Sequence, residues 1–186
     1  SRALKHNKDN NTIVVLKHGV FTFGDTAQDA YDSMIRVVAN SEKFIRSTRK
    51  KLKTNPRKPS FKLENLAPVL RGALIPLSAT EQRYILSFRN SPVIKNFLGF
   101  RNMSRLVKCG PVTPDHAIWT KPKALFLPSN CNSIEIVRAV KNYKRDYERY
   151  FEKNNRRYLG KKVMRDSLPR VIFVDGLGVF GVGESL

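Results

Sequence analysis

The residues of this chain whose types suggest chemistry are three histidines, two cysteines and one glycine-rich segment. His18 follows the β-branched run Thr12–Leu16 and precedes Gly19, so it is predicted to sit in a turn open to close backbone approach. His116 follows Thr113, Pro114 and Asp115, and Asp115 stands where it can orient the imidazole or act as a ligand. A zinc site takes three protein ligands or more. His6, His18 and His116 show no recognisable ligand spacing, and Cys109 and Cys131 form no CxxC pair. A satisfied turn or loop histidine is the plain alternative at each position. Gly176-Leu177-Gly178-Val179-Phe180-Gly181 matches GxGxxG after a strand. The dinucleotide fingerprint needs a helix opening at the motif and an acid about 20 residues later. Val179–Gly183 favours a strand instead, so nucleotide binding is not expected there.

The elements that must position these residues follow from periodicity. Thr12–Leu16 reads as a buried strand, Lys17-His18-Gly19 as a turn and Val20–Phe23 as a second strand. Thr26 then caps a helix, with Asp29 as its capping-box partner. Ala27, Ala30, Tyr31, Met34, Val37, Val38 and Ile45 share one helical face, and the helix is expected to run to about Leu52. Thr54–Ser60, with two prolines, reads as a linker or subdomain boundary. Leu63–Ile75 is predicted helical and Arg83–Phe88 a strand. Pro92–Leu98 and Asn102–Cys109 read as short helices. Cys109–His116 is expected to be an ordered loop, and Ala124–Leu127 a short strand. Asn132 and Glu135 form a second capping-box candidate. Ile136, Val140, Tyr143, Tyr147 and Tyr150 then make a stripe expected to be core or a helix–helix seam. Val171–Val174 reads as a buried strand followed by a turn and another strand.

Composition sets the broad class. The chain has 186 residues, 41% of them hydrophobic, which suits a packed core in one domain or two small ones. Lys and Arg number 35 against 15 Asp and Glu, a formal charge of +20. The densest basic stretch, Lys43–Lys62, contains no acid, whereas Lys141–Lys162 is interrupted by Asp146, Glu148 and Glu152. Such charge reads as a solvated face, as attraction of small anionic substrates, or as polyanion binding. No nucleic-acid motif accompanies it, so nucleic acid is not the expected partner. No apolar run reaches the roughly 18–20 residues of a membrane span. Ser1–Asn11 lacks the apolar region of a signal peptide. The sparse cysteines point to a reducing, cytoplasmic setting.

Two segments echo each other. Ile13–Thr26 and Val171–Ser185 align with Leu177 as one extra residue, keeping Gly19/Gly178, Val20/Val179, Phe21/Phe180 and Gly24/Gly183 identical. The echo suggests two half-copies of a larger α/β unit.

Leu16–Ile45 resembles the class II aldolase/adducin family, which carries a histidine-glycine turn between two strands, then a glycine and a helix. Cys109–Leu127 and Pro169–Gly183 resemble the middle of bifunctional bacterial proteins. Those join a class II aldolase-type region to a short-chain dehydrogenase and act as rhamnulose-phosphate aldolase and lactaldehyde dehydrogenase. The resemblance implies an α/β fold with a mixed or antiparallel sheet covered by helices, in incomplete class II aldolase-like α/β/α layers. It implies that residues 1–57 end one aldolase-like unit and that 58–186 form a second, truncated one.

In the family, zinc is held by an HxH pair, a third histidine in the strand turn and, in some members, an acid. Zinc there polarises a keto-sugar phosphate and stabilises the enediolate. His18 matches the third histidine and is the implied metal ligand. The HxH pair is expected upstream of Ser1 and the dehydrogenase beyond Leu186. In the aligned echo Gly176 replaces the histidine, so no zinc is expected at the second copy. Thr113, Asp115 and His116 are assigned as substrate-binding residues. The implied function is zinc-dependent cleavage of a rhamnulose 1-phosphate-like sugar phosphate by a longer protein. The chain alone is expected to be inactive, without tightly held zinc. The expected partners are the sugar phosphate and further copies of the chain, and no membrane. The rival reading is a basic nucleic-acid-binding or adducin-like interaction domain.

Overall fold

In the computed structural model, residues 10–16, 18–48, 54–55, 57–75 and 83–185 are described. Contacts divide the chain into two units, Ser1–Leu52 with Val112–Pro114, and Lys53–Pro111 with Asp115–Leu186.

The first unit is a hairpin and a helix. Strands β1 (Thr12–Val15) and β2 (Gly19–Thr22) pair antiparallel from Thr12↔Thr22 to Val15↔Gly19. The His18 amide donates to Val15 O at 3.0 Å and closes the turn. Helix α1 (Ala27–Thr48) starts at the expected box: Asp29 N donates to Thr26 Oγ1 and Thr26 N to Asp29 Oδ2, both at 3.1 Å. The expected extension toward Leu52 lies outside the described residues. Thr22 Oγ1 donates to Ala30 O at 2.8 Å and Asn11 Nδ2 to Ser33 Oγ at 2.7 Å, pinning helix to hairpin.

Two expectations change here. Thr12–Val15 is not a buried strand, for a two-stranded ribbon covered by one helix keeps its outer face open, and Val14 is exposed. The covered face of α1 is Ala30, Ser33, Met34 and Val37, while Tyr31, Val38 and Ile45 face outward.

The second unit is built on a four-stranded mixed sheet. Its strands are β3 (Ile85–Arg89), β4 (Leu125–Leu127), β5 (Val171–Val174) and β6 (Gly178–Gly183), in the order β3-β6-β5-β4. β6 is antiparallel to both neighbours, and β4 runs parallel to β5. The alternation of strands sends Phe180, Val182, Ile172, Val174, Leu125 and Leu127 to one face. There they meet helix α2 (Leu63–Leu74) through Leu66, Leu70 and Leu74, and the long helix later in the chain through Ile136 and Val140. Each fully buried Leu, Ile or Phe contributes about 1.5–3 kcal/mol, so this face carries the unit's stability.

Among the described residues of this unit, two short helices pack on the opposite face. Helices α3 (Pro92–Leu98) and α4 (Met103–Leu106) bring Leu98, Met103 and Val107 against Phe126 and Phe173. The expected helix Asn102–Cys109 shortens to α4. The expected loop Cys109–His116 ends early, because Pro114 opens helix α5 (Pro114–Thr120), a position its fixed φ favours. Helix α6 (Ser133–Asn155) begins at the Asn132/Glu135 capping box, with both reciprocal bonds present.

The expected linker or subdomain boundary at Thr54–Ser60 lies beside the division between the units, and its described residues are tied into the second one. Thr54 bridges to Phe100, Asn55 N donates to Gly99 O at 2.8 Å, and Ser60 N donates to Ser129 O at 2.9 Å. Arg57 Nη1 donates to the buried Asp175 Oδ2 at 2.8 Å. Gly176 lies beneath this strap with φ 75°, and a Cβ on it would sit 2.3 Å from Arg57 O. That position requires glycine on both counts.

Candidate functional site

His18 is exposed at the β1–β2 turn, its Nδ1 3.5 Å from Leu16 O. Thr113, Asp115 and His116 are exposed at the start of α5, where Asp115 lies in the first turn. Thr120 Oγ1 donates to His116 O at 2.6 Å. His6 lies outside the described residues. Among the described residues, no three His, Cys, Asp or Glu side chains converge as a metal site. The donors of the described chain therefore do not by themselves fit the zinc implied by the resemblance.

The charged cluster that the structure does assemble was not anticipated. Lys121 follows α5 with φ 70° and is buried. Its Nζ donates to Asp166 O at 2.6 Å and to Asp166 Oδ2 at 3.3 Å. It also lies 4.3 Å from the centre of the Tyr147 ring. Asp166 Oδ2 accepts from Arg170 Nη2 at 2.8 Å, and Asp166 Oδ1 accepts from Leu168 N at 2.9 Å. Arg170 Nη2 reaches Glu184 Oε1 at 3.2 Å, and its guanidinium stands over the buried Tyr84 ring. Ser167 Oγ donates to Glu148 Oε1 at 3.0 Å.

Burial is the largest influence on Lys121 and lowers its pKa; the Asp166 carboxylate opposes it without restoring the ordinary value. Burial pushes the Asp166 carboxyl up, but the Arg170 hydrogen bond and the Lys121 charge outweigh it. The net position is below the usual carboxylate range. Burial raises Tyr84, and Asp166 adds to the rise.

Two cavities flank this cluster. One of about 490 Å³ opens between α6 and the segment Pro122–Phe126. The expected tyrosine stripe divides there. Tyr143 donates its hydroxyl to Lys123 O at 2.7 Å, Tyr147 lies under Lys121, and Tyr150 is half exposed at the rim. The other cavity, of about 750 Å³, lies on the Ser87 and Gly181 side of β3 and β6. Trp119, Lys121, Arg165 and Arg170 form its walls. Gly181 and Gly183 leave its floor bare.

The sequence carried a faint signal for the cluster in Arg165-Asp166 and Arg170 just before a buried strand. Nothing in it pointed to Lys121, which precedes Pro122, a context that ordinarily favours an extended backbone.

No helix of the described residues is long and apolar enough to cross a membrane. Residues 62–186 match the family described as aldolase class II, second domain. A curated relative, the uncharacterized oxidoreductase YuxG of Bacillus subtilis strain 168, is 24% identical over 201 residues. The alignment takes in 100% of this chain and 28% of the relative, so the chain spans little more than a quarter of that protein's length. No solved structure matches the chain. With the family match running through all four strands of the mixed sheet, the chain belongs to the class II aldolase family, its residues 62–186 matching the second domain.

Proposed function

We propose that this chain is part of a longer class II aldolase-type carbon–carbon lyase that cleaves a rhamnulose 1-phosphate-like sugar phosphate. In that reading the same protein carries a dehydrogenase that oxidises the aldehyde product. The observation that carries the reading is the family match over residues 62–186. The relative's description as an oxidoreductase, and its much greater length, support the fused dehydrogenase.

In this reading His18 supplies one imidazole to a zinc site whose other ligands come from beyond the described residues. Thr113, Asp115 and His116 contact the substrate. The chain alone has no aldolase turnover. Residues 1–57 end one aldolase-like unit and 58–186 form a second. The shared hairpin geometry of β1–β2 and β5–β6 supports that division. The protein works in the cytoplasm, consistent with the free thiols Cys109 and Cys131. It self-associates through the open, apolar β1–β2 hairpin, where Val14, Leu16 and Phe21 are exposed. The interior strand β5, paired on both sides, is excluded from that role.

The test is a retro-aldol assay with ketose 1-phosphates and added zinc, on this chain and on the full-length parent. Cleavage by the parent, lost in its His18→Ala variant and absent from this chain, is the expected result. A parent that does not cleave any ketose 1-phosphate overturns the lyase reading. Zinc-dependent turnover by this chain alone overturns the inactivity.

The charge of +20 and the Lys43–Lys62 stretch favour one alternative, a polyanion-binding or adducin-like interaction domain. Salt-dependent binding to DNA or RNA would support it.

A further inference from the structure

The 750 Å³ cavity over β3 and β6 is walled by four basic side chains, Arg89, Lys121, Arg165 and Arg170, against two acids, Asp166 and Glu184. The basic groups are not equivalent. Lys121 is committed to Asp166, and Arg170 to Asp166 and Glu184. Among the described residues no carboxylate pairs with Arg89 or Arg165. Arg89 Nη1 donates to the neighbouring Phe88 O, at 3.0 Å. Arg165 is held 4.9 Å from the centre of the Trp119 ring. Arg89 and Arg165 thus line one cavity with no carboxylate partner among the described residues, and planar bidentate donors suit a phosphate.

The remaining walls are of a different kind. Trp119 is 64% exposed, so most of its ring is open beside the charged groups. An exposed indole in a cavity that Ser87 and Ser185 also line offers an apolar platform together with hydroxyl groups. The floor is narrow in side chains for a structural reason. Gly181 faces the cavity opposite Ser87 in the β3–β6 register, and Gly183 opposite Ile85. A Cβ on Gly181 would meet only ordinary contacts, 3.9 Å from Ser87 O, so the fold itself does not demand glycine there. Lys121 acts as a brace, joining the α5 wall to the Asp166 wall.

We infer that this cavity is a binding site for a sugar phosphate, with the phosphate between Arg89 and Arg165 and the sugar against Trp119. The sugar-phosphate class rests on the function proposed above; the cationic, aromatic-walled cavity stands without it. The site lies in the second unit and includes none of His18, Thr113, Asp115 or His116.

Trp119 is the single tryptophan of the chain, so its emission reads the site directly. The full chain is titrated with fructose 1-phosphate, inorganic phosphate and fructose. A saturable emission change with fructose 1-phosphate is expected, at least about tenfold tighter than with inorganic phosphate, and none with fructose. Arg165→Gln and Arg89→Gln should each weaken binding on the order of fivefold or more. Gly181→Val should abolish it with an unchanged circular dichroism spectrum, because valine suits a strand and its methyl groups fill the floor. Absence of a saturable response to about 10 mM fructose 1-phosphate overturns the inference. Equal affinity for inorganic phosphate, or full binding by the folded Gly181→Val chain, overturns it as well. The readout needs no turnover and no metal. A parent without aldolase activity therefore leaves this site standing, and loss of this site leaves the lyase reading standing.

Discussion

His18 and Leu177 occupy the same place in two hairpins of one design. Val15 pairs with Gly19 and Val174 with Gly178, and the amides of His18 and Leu177 donate to Val15 O at 3.0 Å and Val174 O at 3.1 Å. The two segments therefore align without a gap. Ile13/Ile172 and Val15/Val174 join the identities seen in sequence. The extra residue assigned to Leu177 disappears, and the counterpart of His18 is Leu177 rather than Gly176.

This equivalence predicts that the His18 ring is dispensable for folding. His18→Leu should change stability by no more than about 0.5 kcal/mol, measured by urea unfolding. A larger loss would show that the imidazole holds the turn, which would remove the reason to assign it a chemical role.

Gly176→Ala should be severe. Its backbone lies at φ 75°, and the new Cβ would press on Arg57 O. A loss of about 2–4 kcal/mol is expected, with faster proteolysis between Thr54 and Ser60 as the strap lifts. A loss smaller than that of an exposed glycine such as Gly19 would refute the strap.

Lys121 is strained and bonded at once. Lys121→Ala removes its bonds to Asp166 and keeps a side chain at φ 70°. Lys121→Gly removes the same bonds but relieves about 1 kcal/mol of left-handed strain. The glycine variant should therefore unfold at higher denaturant than the alanine variant, reversing the order found in ordinary strands and helices.

Asp166 sets an acid limit. Its carboxyl titrates lower in the folded chain than in the unfolded one, near 3.9. Its contribution is present above that unfolded value and is lost as pH falls through the folded value. Lys121 runs the other way. Its lowered pKa means that the unfolded chain holds the proton longer, so stability rises with pH between the folded value and about 10.4. Melting temperatures should fall more steeply below about pH 4 in the native chain than in Asp166→Asn. Parallel acid limbs in the two proteins would exclude Asp166 as their source.

What the sequence showed was local. Both capping boxes and the strand Val171–Val174 followed from spacings within a few residues, and the structure forms them. So did the turn at His18. What it hid was what packs on each element. Thr12–Val15 and Val171–Val174 have the same β-branched character, yet Val14 is exposed and Ile172 is wholly buried. Only β5 lies inside a sheet with helices over it. The cavity was hidden for the same reason: Lys121 and Asp166 meet across 45 residues, and Trp119 and Arg165 likewise come from distant segments. At Thr113–His116 the prolines suggested a loop, whereas Pro114 at a first helical position starts α5.

The place of β6 in the sheet bears on how the second unit comes into being. β6 is the last of its strands along the chain, yet it lies between β3 and β5 and pairs with both. Ile85 finds its partner at Gly183, and Arg57 finds Asp175 across 118 residues. During synthesis β3, α2 and α6 leave the ribosome with their apolar faces uncovered, and wait for the final strand. Contacts of such long sequence separation slow folding. Until Gly178–Gly183 has emerged, the unpaired edges of β3 and β5 are open to aggregation.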